Sequence, residues 1–484
     1  MIANPVNMSS ASKPLTIVIF GATGDLFQRK LAGALFDLHE KDLLPEQTNI
    51  VGFSRKPFSH DQFRAFIHNA LASRANGKIV EPDEFTARAF YHQGDLTSAE
   101  SYASLGAFLE SRDREHGVCS DKLFYLAVPP NLYETVFTRL AKSGLTIPCA
   151  PNVPDAEQAW TRVLVEKPFG NNQKEAARLD RLLGKLFDES QIFRIDHYLA
   201  KEAVQNIISF RFSNGLFESL WNRKHIERVE VQMFETNGVT GRGSFYDGVG
   251  ALRDVGQNHM LQMLALIAME NPGKMEAGAI RAARRTALQK VTGGNGALEK
   301  WIQKGQYEGY KHEGGVRGGS LTETYFRIET RIMNSRWRGV PFALESGKAL
   351  DHSCVKIAVY FKPTSCVCPE GHASPHQNVL TFHIAPEEEI SVRFWAKRPG
   401  FDFQLEPKEL SFSFGADALT RQIPNAYERV LFDCIRGDQT LFASTEEVKA
   451  QWKFITPILE KWSSLPLHKY VKGSTGPQIL NTKS

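Results

Sequence analysis

The sequence predicts an α/β domain followed by an α+β domain: a Rossmann-like, doubly wound parallel sheet, then a largely antiparallel sheet with helices on one face. Two observations support this. Up to about residue 190, short β-branched runs alternate with amphipathic stretches, as in βαβ units. Beyond that point, strands with alternating apolar and polar residues become common, as in antiparallel sheets. We therefore expect a frayed tail at 1–13, a first domain at 14–194 and a second at 195–484.

The elements are expected in the following order. In the first domain, the strands are 15–20, 49–53, 123–128 and 162–165, and two intervening helices are 31–43 and 61–72. In the second domain, the helices are 198–209 and 252–269, and the strands are 322–332, 355–361, 379–384 and 409–414. Glycine-rich or irregular composition predicts loops at 293–296, 314–319 and 366–376.

Length and composition indicate a globular chain with large cores. It has 484 residues, of which 42% are hydrophobic and 23% charged, which excludes a disordered or fibrous protein. The net charge of +4 is too weak for nucleic acid or an anionic membrane to be the main partner. The longest nearly apolar run, 260–269, is far shorter than the ~20 residues that cross a bilayer, so we expect a soluble, cytoplasmic protein.

The cysteines do not predict a disulfide framework or a metal site. Six cysteines occur without a recognisable spacing, which favours a reducing cytoplasm. The segment with Cys366, Cys368, His372 and His376 comes nearest to a ligand pattern. Because Cys-x-Cys is tighter than the usual zinc spacing and the segment resembles a loop, we expect no metal.

Two glycines, Gly21 and Gly24, lie in the turn that ends the first strand. Glycines at a strand-to-helix turn let the backbone approach a pyrophosphate and direct the N–H groups of the next helix towards it. The usual G-x-G-x-x-G pattern is absent, and glycine pairs are also common in ordinary turns. Coenzyme binding is favoured here because the turn closes the first strand of an α/β domain.

The second strand ends in Ser54-Arg55-Lys56, where an NAD enzyme would place an acid on the ribose 2′-hydroxyl. Arg55 at this position suits a 2′-phosphate and therefore NADP; the alternative is a solvated loop cation. Lys167 follows another strand and would lie in the ligand crevice of a parallel sheet. A lysine at the surface before a turn is the alternative for Lys167.

Two histidines are candidates for chemistry. His197 and Lys201 are four residues apart at a predicted helix start, so two potential cations would share a face and could hold a phosphate; a solvated face balanced by Glu202 is the alternative. His259 lies on an apolar helix face, as either a core residue or a base. Asp254 is about 140° away on an α-helix, so a carboxylate partner for His259 must come from elsewhere.

Four longer motifs together resemble the glucose-6-phosphate dehydrogenase family, and the likeness extends over residues 15–477. They begin at Gly21 (Gly-Ala-Thr-Gly-Asp-Leu), Glu166 (Glu-Lys-Pro-Phe-Gly), Arg194 (Arg-Ile-Asp-His-Tyr-Leu-x-Lys-Glu) and Arg253 (Arg-Asp-Val-x-Gln-Asn-His-x-Leu-Gln). Shorter matches include Ala-Tyr-Glu at 426–428. The resemblance implies NADP-dependent oxidation of glucose 6-phosphate at C1, the entry to the oxidative pentose phosphate pathway, by a homodimer or homotetramer whose second domain also mediates assembly.

The resemblance also implies roles for individual residues. His259 would be the catalytic base and Asp196 the carboxylate that orients it. The phosphate would be bound by His197, Tyr198 and Lys201, and the ring hydroxyls by Glu235, Asp254 and Lys348. Lys167 would serve both substrate and coenzyme, with a cis peptide before Pro168. The coenzyme positions would be Gly21, Thr23, Gly24, Asp25, Leu26, Lys30, Arg55, Tyr133 and Lys167.

The chain departs from the family pattern at four positions: Ala200, Glu345, Ser353 and Ala385. Ser353 replaces a basic residue and Ala385 a glutamine, while Glu345 reverses a charge and is expected to add a repulsive field near the pocket. We therefore expect intact catalysis with looser sugar discrimination. The alternatives are a related 6-phosphosugar dehydrogenase with altered selectivity and a non-catalytic NADP sensor, although a sensor would have lost the base.

Overall fold

Two structural units share the chain. The computed structural model describes residues 13–74, 82–149, 159–364, 376–417 and 423–478. The first unit comprises Met1–Ala200 with Pro424–Thr445, and the second comprises Lys201–Ile423 with Glu446–Ser484. The sequence-based boundary after residue 194 differs from this division in two ways. The first segment of the first unit extends to Ala200, and residues 424–445 return to that unit.

The strands, in chain order, are β1 Leu15–Phe20, β2 Thr48–Ser54, β3 Ala89–Gln93, β4 Asp121–Leu126, β5 Thr161–Val165, β6 Ile192–Ile195, β7 Ile226–Phe234, β8 Val291–Gly293, β9 Ile302–Tyr307, β10 Tyr325–Ile332, β11 Pro341–Gly347, β12 Cys354–Phe361, β13 Val379–Ala385, β14 Glu389–Lys397, β15 Leu405–Ser413, β16 Phe442–Ala443 and β17 Leu467–Tyr470.

The α-helices are α1 Ala32–Glu40, α2 His60–Arg74, α3 Asp83–Ala87, α4 Ala99–His116, α5 Tyr133–Lys142, α6 Gln173–Leu186, α7 Glu202–Phe212, α8 Gly215–Glu218, α9 Gly243–Tyr246, α10 Leu261–Ala268, α11 Ala277–Gln289, α12 Phe414–Asp417, α13 Ala426–Arg436 and α14 Thr445–Glu460. Two π-helical segments, Phe27–Leu31 and Leu252–Met260, run directly into α1 and α10. Short 3₁₀ turns occur at Pro130–Leu132, Glu189–Gln191, Leu298–Lys300, Tyr310–His312 and Trp462–Ser464.

The first unit is built on a seven-stranded sheet in the order β16-β6-β5-β4-β1-β2-β3. All neighbouring strands are parallel except β16, which runs antiparallel to β6. The central strand β1 is apolar and completely buried, as expected for a strand covered on both faces. The predicted doubly wound parallel sheet is confirmed, and the four predicted strands lie within two residues of the observed ones.

The returning segment 424–445 completes the first unit. Strand β16 extends the sheet next to β6, and α13 packs against α1. At the start of α13, Asn425 and Glu428 form a capping box, and Glu428 also pairs with Lys41 at 2.5 Å. The sequence analysis predicted neither this helix nor the domain that receives it.

The second unit contains a larger sheet in the order β15-β14-β13-β12-β7-β11-β10-β9-β17, and β8 also pairs with β10. Most pairs are antiparallel, while β7–β11 and β9–β17 are parallel. Helix α7 packs on β13, and the π-helical segment 252–260 packs on β7 and β11. The predicted largely antiparallel sheet with helices is therefore confirmed.

Two predicted helices differ in detail from the observed ones. The helix expected from residue 198 begins only at Glu202, because His197–Ala200 form turns and Lys201 has an extended backbone at the N-cap. His197 and Lys201 therefore do not share a helix face, contrary to the prediction. The helix expected at 252–269 has π geometry over its first half and α geometry over its second.

A disulfide joins Cys119 and Cys149, whose Cα atoms are 5.9 Å apart, a bridge that the cysteine spacing did not predict. The bridge connects the chain after α4 to the chain after α5, and a separation of 30 residues gives no sequence signal for it. The predicted loop 366–376 lies outside the described residues, apart from His376. None of the helices that the structure describes combines the length and apolar character of a membrane span.

Candidate active site

The glycine turn after β1 has an open outer surface. Gly21 has φ of +80°, and a Cβ there would lie 2.3 Å from the carbonyl oxygen of Ala127, so only glycine fits. Gly24 is exposed, and a Cβ there would meet only the Gly21 carbonyl oxygen, at 3.1 Å. Gly21 thus permits close packing within the sheet, while Gly24 leaves the backbone accessible to a ligand.

The ends of β1 and β2 are joined by a hydrogen bond between the hydroxyls of Thr23 and Ser54, at 2.8 Å. This bond places Arg55, the next residue, beside the glycine turn. Within the described ranges, the exposed side chains of Arg55 and Lys30 form no hydrogen bond or ion pair. Two exposed cations near a turn with accessible backbone are suited to a phosphorylated coenzyme.

Asp25 and Leu26, the remaining predicted coenzyme residues of this turn, have surroundings that do not indicate a ligand. The exposed Asp25 pairs with Arg29 at 3.5 Å, one helical turn later. Such an exposed pair contributes little to stability. Leu26 is half-buried and leads into the π-helical segment. The coenzyme roles of Asp25 and Leu26 remain predictions.

Glu166 and Lys167 follow β5 at the same edge of the sheet. The hydroxyl of Tyr125 donates to the Glu166 carboxylate at 2.6 Å, Tyr427 also hydrogen bonds to that carboxylate, and Tyr133 donates to the Glu166 carbonyl at 2.8 Å. Burial raises the pKa of Glu166, and the hydrogen bonds from Tyr125 and Tyr427, together with the charge of Lys167, partly oppose the rise. Tyr133, expected to contact the coenzyme, uses its hydroxyl to hold the loop that carries Lys167.

The peptide between Lys167 and Pro168 is cis, as the family resemblance implies. Next to this loop, a cavity of about 290 Å³ is lined by Tyr133, Pro168 and Gly170, among other residues. The cavity lies where β4 and β5 end, which is the ligand-binding edge of a doubly wound sheet. This part of the first unit is thus shaped to receive a ligand.

Asp196 follows β6 and is only 4% exposed. Its Oδ1 accepts the backbone N–H of Tyr198 at 3.0 Å, which shapes the turn before α7. The rings of His197 and Tyr198 are 4.8 Å apart between centroids. The neighbouring Arg194 is buried and pairs with Glu189 at 3.1 Å, so this member of the motif has a structural role.

In the second unit, the parallel strands β7 and β11 end side by side. The backbone N–H of Glu235 donates to the Gly347 carbonyl at 2.9 Å, and Lys348 Nζ lies 2.5 Å from the Glu235 carboxylate. Lys348 Nζ also lies 5.3 Å from the centroid of the Tyr246 ring. The two predicted sugar-binding residues are thus adjacent, and Tyr246, which the sequence did not indicate, holds the lysine in place.

Asp254 and His259 lie on the π-helical segment 252–260, and His259 is 1% exposed. A π-helix connects residue i to i+5, so positions five apart lie much closer to one face than on an α-helix. The sequence-based argument that Asp254 points about 140° away from His259 is therefore wrong, because it assumed α geometry. Gly256 lets the helix approach the sheet, since a Cβ there would lie 2.8 Å from the Phe326 ring.

Lys201 is held next to one of the substituted positions. Its Nζ donates to the Ile384 carbonyl at 3.1 Å and lies 3.8 Å from the Glu388 carboxylate. Glu388 also accepts the backbone N–H of Ala203 at 2.7 Å, in the first turn of α7. Ala385 directly follows Ile384, so the missing glutamine side chain would start beside Lys201.

Two of the other departures, Ser353 and Glu345, have different surroundings. Ser353 Oγ accepts the backbone N–H of Thr236 at 2.9 Å, next to Glu235, so this position borders the predicted sugar site. Glu345 is buried, accepts the Tyr325 hydroxyl at 2.6 Å and pairs with Arg327 at 2.8 Å. Because Arg327 compensates its charge, the expected repulsive field from Glu345 does not arise.

Of the tyrosines that support the site, sequence reasoning identified Tyr133 and missed the others. Tyr427 belongs to the Ala-Tyr-Glu match, but its contact with Glu166 depends on a return of the chain that no local pattern indicates. Tyr246 carries no signal other than its position at the end of the short α9. Asp196 belongs to the first unit and His259 to the second, and their pairing stays a prediction.

One group of metal-ligating side chains occurs among the described residues, formed by His383, Glu389 and Glu409 on three neighbouring strands, with ligand atoms within 4.8 Å of one another. Acidic groups on an open sheet face are common without an ion, so we assign no metal to it. Cys366, Cys368 and His372 lie outside the described residues.

Family models match nearly the whole chain. One described as "Glucose-6-phosphate dehydrogenase, NAD binding domain" matches residues 18–206, and one described as "Glucose-6-phosphate dehydrogenase, C-terminal domain" matches residues 208–483. The boundary between the two matches is close to the end of the first continuous segment of the first unit.

Similar proteins agree with these models. A glucose-6-phosphate 1-dehydrogenase of Chlamydia muridarum is 38% identical over 97% of this chain and 94% of its own length. That of Aggregatibacter actinomycetemcomitans is 39% identical over 95% of this chain and 94% of its own length.

Solved structures show the same likeness. One of glucose-6-phosphate dehydrogenase in complex with its substrate glucose-6-phosphate has a TM-score of 0.87 and 32% identity over 97% of each chain. A glucose-6-phosphate 1-dehydrogenase from Mycobacterium avium has a TM-score of 0.80 and 32% identity over 96% of each chain. The resemblance seen in the motifs is confirmed: the chain belongs to the glucose-6-phosphate dehydrogenase family.

Proposed function

We propose that this enzyme oxidises glucose 6-phosphate at C1 to 6-phosphoglucono-1,5-lactone with NADP, the first step of the oxidative pentose phosphate pathway. One arrangement carries the proposal. The parallel strands β7 and β11 end at the Glu235–Lys348 pair, and the helix with Asp254 and His259 packs on the same two strands. Carboxylates and a lysine that are already oriented suit sugar hydroxyls, and a buried histidine beside them suits proton abstraction.

In this mechanism the second unit binds the sugar and removes a proton. Glu235, Asp254 and Lys348 hold the ring hydroxyls, which fixes C1 relative to the base. The imidazole of His259 takes the proton of the C1 hydroxyl as the C1–H bond breaks. Asp196 stabilises the imidazolium that forms.

The phosphate is bound by residues that flank the start of α7. His197, Tyr198 and Lys201 supply donors, and charge-assisted hydrogen bonds to phosphate are worth ~1.5–3 kcal/mol each. Lys201 is prepared for this role because the Ile384 carbonyl and the Glu388 carboxylate orient its ammonium group. Lys167, in the loop held by three tyrosines, is the lysine shared between substrate and coenzyme.

The first unit fits a phosphorylated nicotinamide coenzyme, which when bound supplies the hydride acceptor. Gly24 leaves the turn backbone accessible, and Arg55 offers a guanidinium beside that turn where an NAD enzyme would have an acid. Arg55 is thus the residue that would distinguish a 2′-phosphate from a free 2′-hydroxyl.

The experiment is an initial-rate panel that follows the absorbance of reduced coenzyme. Glucose 6-phosphate, mannose 6-phosphate, galactose 6-phosphate and glucose are each tested with NADP and with NAD. We expect the highest kcat/KM for glucose 6-phosphate with NADP and a very low value for glucose. A higher value for another 6-phosphosugar would replace the proposed substrate, and absence of turnover would favour a non-catalytic NADP sensor.

The altered-selectivity alternative has specific support. Ser353 and Ala385, at positions where the family has longer polar side chains, border the predicted sugar and phosphate sites. A related 6-phosphosugar dehydrogenase with broader substrate range is therefore the second candidate. A mannose or galactose 6-phosphate rate within threefold of the glucose 6-phosphate rate would favour it.

The proposal includes a cytoplasmic homodimer or homotetramer. Light scattering of the purified enzyme measures the assembly, and a monomer at assay concentrations would contradict it. Thiol trapping in intact cells reports on the compartment, because a reducing cytoplasm would open the Cys119–Cys149 disulfide that the structure contains. A fully oxidised pair in cells would argue against that location.

A further inference from the structure

Glu323 is a buried acid in the segment before β10, and it has no part in the mechanism described so far. Its Oε1 accepts the backbone N–H of Leu252 at 3.1 Å, and its Oε2 accepts the indole N–H of Trp462 at 3.0 Å. The residue is 2% exposed, and burial raises its pKa. Burying a carboxyl group costs stability unless its bonds compensate, so its contacts indicate what it does.

Those contacts are concentrated at the start of the helix that carries Asp254 and His259. In addition to the Leu252 bond, the backbone carbonyl of Glu323 accepts the N–H of Ala251 at 3.2 Å. N–H groups in the first turn of a helix have no acceptor within the helix itself. One residue thus satisfies two successive donors, which fixes both the position and the direction of the first turn.

The glycine that precedes the helix packs closely against the same carboxylate. Gly250 has φ of +77°, and a Cβ there would lie 2.3 Å from Glu323 Oε1. Only glycine therefore allows the carboxylate to reach the helix start. The Glu323 carbonyl also accepts the hydroxyl of Tyr246 at 3.2 Å, and the Tyr246 ring lies beneath Lys348.

We infer that Glu323 is a positioning residue for the proposed reaction: it fixes the first turn of the catalytic helix and the Tyr246–Lys348 contact, so that Asp254, His259 and Lys348 keep one geometry. This inference rests on the proposed function. A buried acid with only a structural role would change stability but leave turnover of the folded enzyme intact. A positioning residue changes turnover itself, since a displacement near 1 Å can cost ~100-fold.

The test compares Glu323→Gln and Glu323→Ala with a matched control, Glu345→Gln. Glu345 is also a buried glutamate and its carboxylate accepts a tyrosine hydroxyl, but among the described residues it makes no hydrogen bond to the helix start. We expect kcat of the folded Glu323→Ala enzyme to fall at least tenfold. Glu323→Gln should lose less, because its single oxygen still accepts one bond, and the control should stay within twofold of wild type.

The pH profile gives a readout that a structural role would not change. We expect the acid limb of kcat/KM, which reports the base of the free enzyme, to shift in the Glu323 variants and not in the control. Gly250→Ala should reproduce the Glu323→Ala kinetics, because it displaces the same carboxylate. If the Glu323 variants do not fold, Trp462→Phe tests the positioning role in their place. This variant removes the indole N–H that donates to Glu323, so it should also lower kcat.

Two failures can be distinguished. A wild-type enzyme without glucose 6-phosphate dehydrogenase activity would overturn the proposed function. An active wild-type enzyme whose folded Glu323 variants, or whose Trp462→Phe variant, keep wild-type kcat, KM and acid limb would overturn the positioning role alone.

Discussion

The two units differ in whether other protein groups hold their functional cations in place. In the first unit, Arg55 and Lys30 are exposed and have no hydrogen bond or ion pair within the described part of the chain. In the second unit, Lys348 is paired with Glu235 and Lys201 is held by a backbone carbonyl. Exposed cations suit a charged ligand that brings its own phosphates, whereas groups fixed in advance suit hydroxyl recognition and proton transfer. The cations for coenzyme binding and the preorganised groups for chemistry are thus divided between the two units.

The largest effect is expected in the second unit, for the variant His259→Asn. We expect kcat to fall by ~10²–10⁴ with little change in KM for glucose 6-phosphate, because loss of a general base affects the transition state. Initial rates with saturating NADP measure the effect. His376→Asn is the matched control, since His376 is another buried histidine of this unit and packs against Trp395. A variant with more than a tenth of wild-type kcat would return His259 to the role of a core residue.

The corresponding test of the first unit is Arg55→Ala. We expect KM for NADP to rise about tenfold to a hundredfold, the equivalent of one charge-assisted hydrogen bond, and KM for NAD to change little. Arg64→Ala is a suitable control, because Arg64 pairs with Asp61 on α2. Equal increases for both coenzymes would show that Arg55 does not read the 2′-phosphate.

A smaller effect is expected where the second unit departs from its family. Ser353→Lys combined with Ala385→Gln should lower KM for glucose 6-phosphate, or raise its preference over mannose and galactose 6-phosphates, by a few-fold. Both positions border groups that are already fixed, Thr236 and Lys201, so added side chains meet an ordered site. Unchanged or poorer kinetics on every sugar would mean that other residues have rebuilt the pocket.

The smallest effect concerns stability of the returning segment. Burial raises the pKa of Asp433 to about 6, despite its bond to Arg429 at 2.9 Å. The folded state therefore holds a proton that the unfolded state releases, and stability falls as pH rises from about 4 to about 6, by up to ~3 kcal/mol. Asp433→Asn should flatten the dependence of Tm on pH in this window. A wild-type Tm that rises steadily from pH 4 to pH 6, with the same slope in the variant, would refute this.

Four of the seven strands in the sheet of the first unit could be predicted, because those four are short apolar runs. Gly21 and Arg55 directly follow β1 and β2, and Lys167 is the second residue after β5. The second unit was less predictable in detail. Its fold class follows from alternation along the strands, but the pairing of Glu235 with Lys348 depends on a parallel pair between strands that are more than 100 residues apart.

Two errors and one omission had physical causes that local patterns do not reveal. The π geometry of 252–260 depends on packing against the sheet, whereas the pattern of apolar residues was interpreted with α spacing. Glu345 looked disruptive because its partner, Arg327, is on a neighbouring strand. The disulfide joins cysteines brought together only by tertiary structure.

The return of residues 424–445 has a consequence for synthesis of the protein on the ribosome. The first unit cannot add β16 to its sheet or place α13 on α1 until more than 200 further residues have been translated. At ~5–20 residues per second, the open edge of β6 stays uncovered for about 10–45 s. During this interval the nascent chain presents an unpaired strand edge, so slowing translation between the two segments should increase its dependence on chaperones.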